Sequence, residues 1–170
     1  RKFGGEILDL NRSVPGFADP GLDDTEWEPA TVVRVPDHLV TPQVVEVNRV
    51  RESIVPVEIT EVDDSVYLVD MGKNLTGRAV IRFPVLPKGH KVTIEYADHL
   101  VSKHPELFEL QSNKPGYRIT AREKEIFARQ RDQYISSGEA GVFTNKFNYR
   151  AFRYMKILNM PVALPKEAIT

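Results

Sequence analysis

The sequence predicts an all-β protein, an antiparallel β-sandwich carrying one or two short helices, and three observations lead to it. Apolar and polar residues alternate with period two in run after run, the pattern of strands with one face on a core and the other in water. Twelve prolines and ten glycines are spread through 170 residues, which favours many short elements over long helices. Turn residues fall between the alternating runs at short, regular spacing, as they do in sandwiches.

In chain order, Pro20-Gly21-Leu22-Asp23-Asp24-Thr25-Glu26-Trp27 reads as a turn and a capped helical start, with an apolar run from Thr31 to Val35 behind it. A composition shift follows at Pro36 to Pro42. Val57 and Ile59 face one way while Glu58 and Thr60 face the other. Val66 to Met71 is apolar on both faces except at Asp70, which predicts a central strand covered on both sides. Gly72-Lys73-Asn74-Leu75-Thr76-Gly77 reads as a connection whose glycines permit positive φ. Ala79, Ile81 and Phe83 oppose Arg78 and Arg82, and Pro87-Lys88-Gly89 is a turn. Val92, Ile94 and Tyr96 then oppose Lys91, Thr93 and Glu95.

His104 to Leu110 has proline and glutamate in a first turn and Asn113 beyond its end, predicting one or two helical turns. Ala121 to Arg131 is rich in helix formers, but Ile126, Phe127 and Ala128 cluster together, so helix and non-helix both stay open there. The last run has Phe147, Tyr149, Ala151, Met155 and Ile157 on one parity, interrupted by Arg153. Asn148, Arg150 and Lys156 share the other parity with Phe152 and Tyr154, so aromatics reach both faces.

Composition narrows the function classes. With 41% hydrophobic and 28% charged residues the chain suits a soluble globular domain, and its length suffices to bury roughly 70% of the unfolded surface. A net charge of −1 offers no footprint for nucleic acid or an anionic membrane, and no apolar run is long enough to span a bilayer. The absence of cysteine excludes disulfides and thiolate metal sites, and leaves reducing and oxidising compartments both open. The chain starts at Arg1 without a signal-peptide core, and is expected to be a piece of a longer protein.

The candidate chemistry is sparse. Asp19, Asp23, Asp24 and Glu26 could offer oxygens to calcium, but their spacing is not that of an EF-hand, and a capped turn explains them as well. Trp27, the single tryptophan, could stack on a sugar ring; a core anchor is the expected role. Pairs such as Asp63 and Asp64, or Glu58 and Glu61, could be nominated as a glycosidase acid and base, yet nothing prefers one pair. His38, His90, His99 and His104 lack metal-ligand spacing, so no metal site is expected. No nucleophile elbow, phosphate loop or dinucleotide fingerprint is present. Asp70 is sharper, because a carboxylate in an apolar strand must find hydrogen bonds or a cation. With Asn74 it either locks the glycine loop internally or contacts a sugar or a neighbouring domain.

Tyr67, Asp70, Gly72, Asn74, Gly77, Pro87, Gly89, Val92 and Tyr96 together make a pattern that resembles the β-sandwich domain (jelly-roll or concanavalin-like) preceding the catalytic barrel in bacterial α-L-rhamnosidases of glycoside hydrolase family seventy-eight. The closing strand, Phe147-Asn148-Tyr149-Arg150-Ala151-Phe152-Arg153-Tyr154, is similar to that family's aromatic-Phe-Arg-Tyr strand. Asp23-Asp24-Thr25-Glu26-Trp27 resembles the end of the jelly-roll module lying upstream in the same enzymes. The chain departs from the pattern at Leu75 and in the charged stretch Ser102 to Gln130.

The resemblance implies that residues 1–40 are a remnant of, or a connecting strand to, the preceding jelly-roll. Residues 41–160 would be the sandwich, and 161–170 a linker toward the catalytic domain. It implies a parent that hydrolyses terminal α-L-rhamnose from plant polysaccharides or glycosides with inversion. The acid and base would lie in the downstream (α/α) barrel, so no catalytic residue and no cofactor is expected here. The expected partner is that barrel, with an L-rhamnose-containing glycan as a further one, and a periplasmic or secreted setting is favoured over the cytoplasm. The alternative is an autonomous carbohydrate-binding module, which predicts exposed aromatics grouped together, drawn from Tyr117, Tyr134, Phe152 and Tyr154. An isolated domain of this kind is also expected to self-associate through apolar surface.

Overall fold

The computed structural model describes residues 5–35, 37, 41–100 and 130–170. Eight strands carry the fold: β1 (Ile7–Asp9), β2 (Glu58–Asp63), β3 (Val66–Gly77), β4 (Val80–Phe83), β5 (Lys91–Ala97), β6 (Arg131–Ile135), β7 (Gly141–Thr144) and β8 (Arg150–Leu158). Six of them form a sheet in the order β1-β6-β5-β8-β3-β2, and β4 pairs with β7 in a second sheet. This is the all-β sandwich that alternation predicts. One ladder departs from antiparallel: β1 runs parallel to β6, with Ile7 opposite Gln133. The helix expected at 104–110 and the stretch 121–131, left open between helix and non-helix, lie outside the described residues, apart from Gln130 and Arg131. Helical backbone among the described residues is confined to short 3-10 turns such as Leu10–Arg12 and Lys166–Ala168.

The chain forms two compact units. One comprises the described residues up to Arg12 together with Glu52–Thr170, and the other is Ser13–Arg51. The division therefore falls at other positions than the sequence reading placed it. Residues 161–170, read as a linker, complete the core: Leu164, Ala168 and Ile169 are buried, and Val80 and Thr170 exchange backbone hydrogen bonds of 2.7 and 2.9 Å. The strand β1 likewise belongs to the sandwich and not to a separate remnant. In the second unit Trp27 is not a core anchor; it is 51% exposed and stacks on Phe17 at 6.0 Å between ring centroids. Asp23 accepts hydrogen bonds from the Thr25 N–H and hydroxyl, so a turn stands there, but the capped helical start expected after it does not form.

The alternation predicts the core well. Ala79, Ile81 and Phe83 are buried, as are Val92, Ile94 and Tyr96, while Arg78 and Arg82 stay exposed. Tyr67, Leu68 and Val69 are buried in succession, on a strand that lies inside the sheet between β2 and β8. The 72–77 segment is not a plain connection. The β3 ladder breaks register between Asp70 and Leu75 and then resumes with Leu75 opposite Phe152. Gly72, at φ +79°, takes the left-handed turn that this bulge needs, and a Cβ there would sit 2.8 Å from Val57 Cγ1. Along β8 the buried parity changes between Phe152 and Met155, beside that break, so no single alternation describes the strand.

Candidate functional site

Asp70, singled out from the sequence, lies at the edge of the bulge. Its carboxylate accepts two parallel hydrogen bonds from Arg153, Nε to Oδ1 and Nη2 to Oδ2, each 2.9 Å. It also accepts the Gly72 N–H at 2.7 Å. The planar guanidinium matches a carboxylate in this fork, so the pair fixes geometry as well as charge. The Arg153 hydrogen bond, working against burial and helped by the Gly72 N–H, holds the Asp70 carboxyl below its usual range. Arg153 in turn lies over the Tyr154 ring at 5.0 Å. Asp70 thus locks the glycine bulge, whereas Asn74 stands exposed on it. The two do not converge on a common site.

A second polar constellation escaped the sequence reading. Asp132 on β6 is fully buried and paired with Arg150 at the start of β8, and it accepts the Asn145 side-chain amide at 2.8 Å and the Glu6 N–H at 2.7 Å. Tyr96 lies in the same cluster, with the Arg150 guanidinium 5.7 Å from its ring centroid. Burial first, then the neighbouring Asp132 charge and its hydrogen bond, push the Tyr96 hydroxyl well above its usual pKa, which keeps it protonated. Glu6 completes the arrangement. Its carboxylate accepts three successive backbone N–H groups, from Lys146 (2.7 Å), Phe147 (3.2 Å) and Asn148 (2.7 Å). Burial raises its pKa, but these donors outweigh it and the net displacement is downward.

Little in the sequence signals the residues of this cluster: Asp132 stands among the polar residues Gln130, Arg131 and Gln133. Nothing in their spacing joins Glu6 to residues about 140 positions away.

Two things follow for chemistry. A glycosidase acid must be held protonated near neutral pH by an upward displacement. Among the described residues, the carboxyls with a displaced pKa (Glu6, Asp9, Asp23, Asp70) are all displaced downward. The aromatics named for a sugar platform are also largely spent. Tyr134 and Phe152 are buried, the first stacked on Phe83 at 4.3 Å and the second edge-on to Tyr96 at 5.1 Å. Tyr154 is partly buried under Arg153, and Tyr117 lies outside the described residues. No group of three or more His, Asp or Glu side chains is placed to hold a metal ion among the described residues.

Comparison with known proteins meets this picture directly. The family model of the bacterial α-L-rhamnosidase concanavalin-like domain matches residues 60–170, from β2 to the final residue. The chain belongs to that family. Curated relatives include an α-L-rhamnosidase of Streptomyces avermitilis, 26% identical over 92% of this chain, and one of Alteromonas sp. strain LOR, 25% identical over 91%. The chain spans only 14% and 15% of their lengths. Among solved structures, the α-L-rhamnosidase from Dictyoglumus thermophilum superposes with a TM-score of 0.82 at 25% identity, covering 99% of this chain and 18% of that one. The Streptomyces avermitilis α-L-rhamnosidase complexed with L-rhamnose gives 0.75 at 22% identity over 98% of this chain and 15% of that one, a likeness of fold. The concanavalin-like domain is thus a small part of much larger rhamnosidases.

Proposed function

We propose that this chain serves as a non-catalytic structural domain of a longer α-L-rhamnosidase, bracing the catalytic barrel. The observation that carries the reading is the family match across the sandwich, in a chain that spans 14–18% of the rhamnosidases it resembles. The carboxyl groups support it, since those with displaced pKa values are held ionised by arginine, amide and backbone N–H partners and are unsuited to proton donation. The parent would cleave terminal α-L-rhamnose from plant polysaccharides or glycosides. In this reading Ser13–Arg51 connects toward a preceding domain, and Asn74 on the exposed bulge is an inter-domain contact, while Asp70 supports the bulge from within.

The test is a titration of isotope-labelled chain with L-rhamnose, with and without calcium, followed by backbone amide shifts. A parallel assay uses an aryl α-L-rhamnoside. The scaffold reading expects neither turnover nor saturable shifts at tens of millimolar sugar. Localised, saturable shifts would instead make the chain a carbohydrate-binding module, and turnover would make it an enzyme.

A further inference from the structure

Phe147 and Tyr149 stand apart from the other aromatics of the sandwich. They are 89% and 61% exposed, on the turn that joins β7 to β8. Leaving a phenylalanine in water forgoes the gain of burying its ring, and surface loops ordinarily hold such a ring loosely. This turn is held firmly. At one end the Asn145 side chain is buried against Asp132; at the other Arg150 is buried against the same carboxylate. Between them, Glu6 takes the N–H groups of Lys146, Phe147 and Asn148. Glu6, Asp132 and Arg150 thus hold in place a segment whose Phe147 and Tyr149 rings remain largely exposed.

Immobilising an exposed aromatic before binding removes the ordering cost from the binding step, and rigid aromatic anchors are what protein interfaces use as hot spots. The partner's chemistry follows from what the turn has left to offer. A sugar site pairs an aromatic platform with convergent polar groups. Here the N–H groups of Lys146, Phe147 and Asn148 are all taken by Glu6, so the wholly apolar Phe147 ring stands where these three backbone donors are already spent. Such a surface suits a dry, apolar socket in a protein.

We infer that Phe147, with Tyr149 at its side, is the anchor by which this domain docks into an apolar socket on the remaining polypeptide of the longer rhamnosidase. This rests on the reading given under Proposed function. The relatives place more than four-fifths of their length outside the region matched by this chain, so a covering partner within one polypeptide is at hand.

Hydroxyl-radical footprinting of the aromatic rings tests the inference, comparing this chain with the longer enzyme that carries it. Phe147 should be oxidised readily in the isolated chain and severalfold more slowly in the longer enzyme, where a partner covers the ring. Phe147→Ser should leave the melting midpoint of the isolated chain unchanged and lower that of the longer enzyme. Equal oxidation in both proteins, or a variant equally stable in both, would overturn the docking role. So would protection of Phe147 in the isolated chain by added L-rhamnose, which would make the turn a sugar platform. Hydrolysis of an aryl rhamnoside by the longer enzyme is scored separately, so a failure of the parent assignment is distinguishable from a failure of the anchor.

Discussion

Glu6→Gln removes one charge and almost no volume, and the structure allows its cost to be worked out. Oε1 of Glu6 accepts from Phe147 and Asn148, and Oε2 accepts from Lys146. A glutamine can place its single carbonyl oxygen at only one of these positions. Kept at Oε1, it puts its own NH2 against the Lys146 N–H, donor facing donor. The loss combines one unsatisfied donor, about 1–2 kcal/mol at this partly solvated position, with the charge assistance of the other bonds, about 1 kcal/mol. A total of about 2–3 kcal/mol lowers the melting midpoint by about 8–12 °C for a domain of this size.

The pH dependence gives the same experiment a second arm. The folded pKa of Glu6 lies below its ordinary value of 4.5. The carboxylate therefore contributes its full stabilisation above about pH 4.5 and loses it as pH falls through the lowered folded value. Asp9, Asp23 and Asp70 are displaced the same way, so the useful quantity is the difference between wild type and variant, not either midpoint alone. Circular-dichroism melts should show a gap at pH 7 that closes toward pH 3. A gap that stays constant across this range, or one under about 2 °C at pH 7, would refute the view of Glu6 as an ionised clamp.

Other expectations concern packing and pairing. Gly141→Ala should destabilise by about 1–3 kcal/mol, because its Cβ would press on the Tyr134 hydroxyl and come within 2.7 Å of Leu10 Cδ1; adding Tyr134→Phe should recover part of the loss in denaturant titrations. Asp132→Ala strands the buried Arg150 and should cost about 3–5 kcal/mol, against a small effect for Asp98→Ala at the surface. Asp70→Asn breaks the fork to Arg153 and should lower the midpoint by about 2–4 °C at neutral pH, with proteolytic cleavage at the 72–76 bulge rising in step. Sedimentation should show concentration-dependent association, since Val32 and Val44 in the second unit are 96% and 99% exposed among other valines; a clean monomer at high concentration would contradict this.

Much of the sandwich was legible because strand burial has a fixed period. Ile81, Phe83, Val92, Ile94 and Tyr96 alternate with polar neighbours, and all are buried. Legibility failed where a long-range pairing decides the outcome. The parity change on β8 accompanies a bulge on the neighbouring β3, and no local window of β8 contains that information. β6 went unread because Arg131, Asp132 and Gln133 look like surface, although Asp132 is buried in mid-sheet beside a strand that arrives from the N-terminal end. The linker reading of the C-terminal residues came from the family resemblance, although half of 161–170 is apolar and three of those side chains are buried in the core. Asp70 stood out as a carboxylate in an apolar strand, but the partner that satisfies it is 83 residues away.

The buried Asp132–Arg150 pair bears on what the domain is for. Replacing such a pair by apolar residues of similar volume often costs nothing in stability, so stability alone does not account for it. Its geometry has another effect. Asp132 joins β6 to β8 and, through Asn145 and the Glu6 N–H, fixes both ends of the turn bearing Phe147 and the segment that clamps it. An apolar substitute would fill the space without specifying that the turn sits in one place. The charges therefore act as alignment pins, and such pins matter most where a surface must meet another surface in a single register. In that light, doubly apolar replacement of Asp132 and Arg150 should leave the isolated chain folded while loosening the 145–149 turn. Because the replacement also takes the acceptor from the Asn145 amide and the Glu6 N–H, some global stability is lost. Amide exchange at Lys146 to Asn148 accelerated beyond that global loss is the expected signature; exchange that follows the global loss alone would mean that Glu6 alone holds the turn.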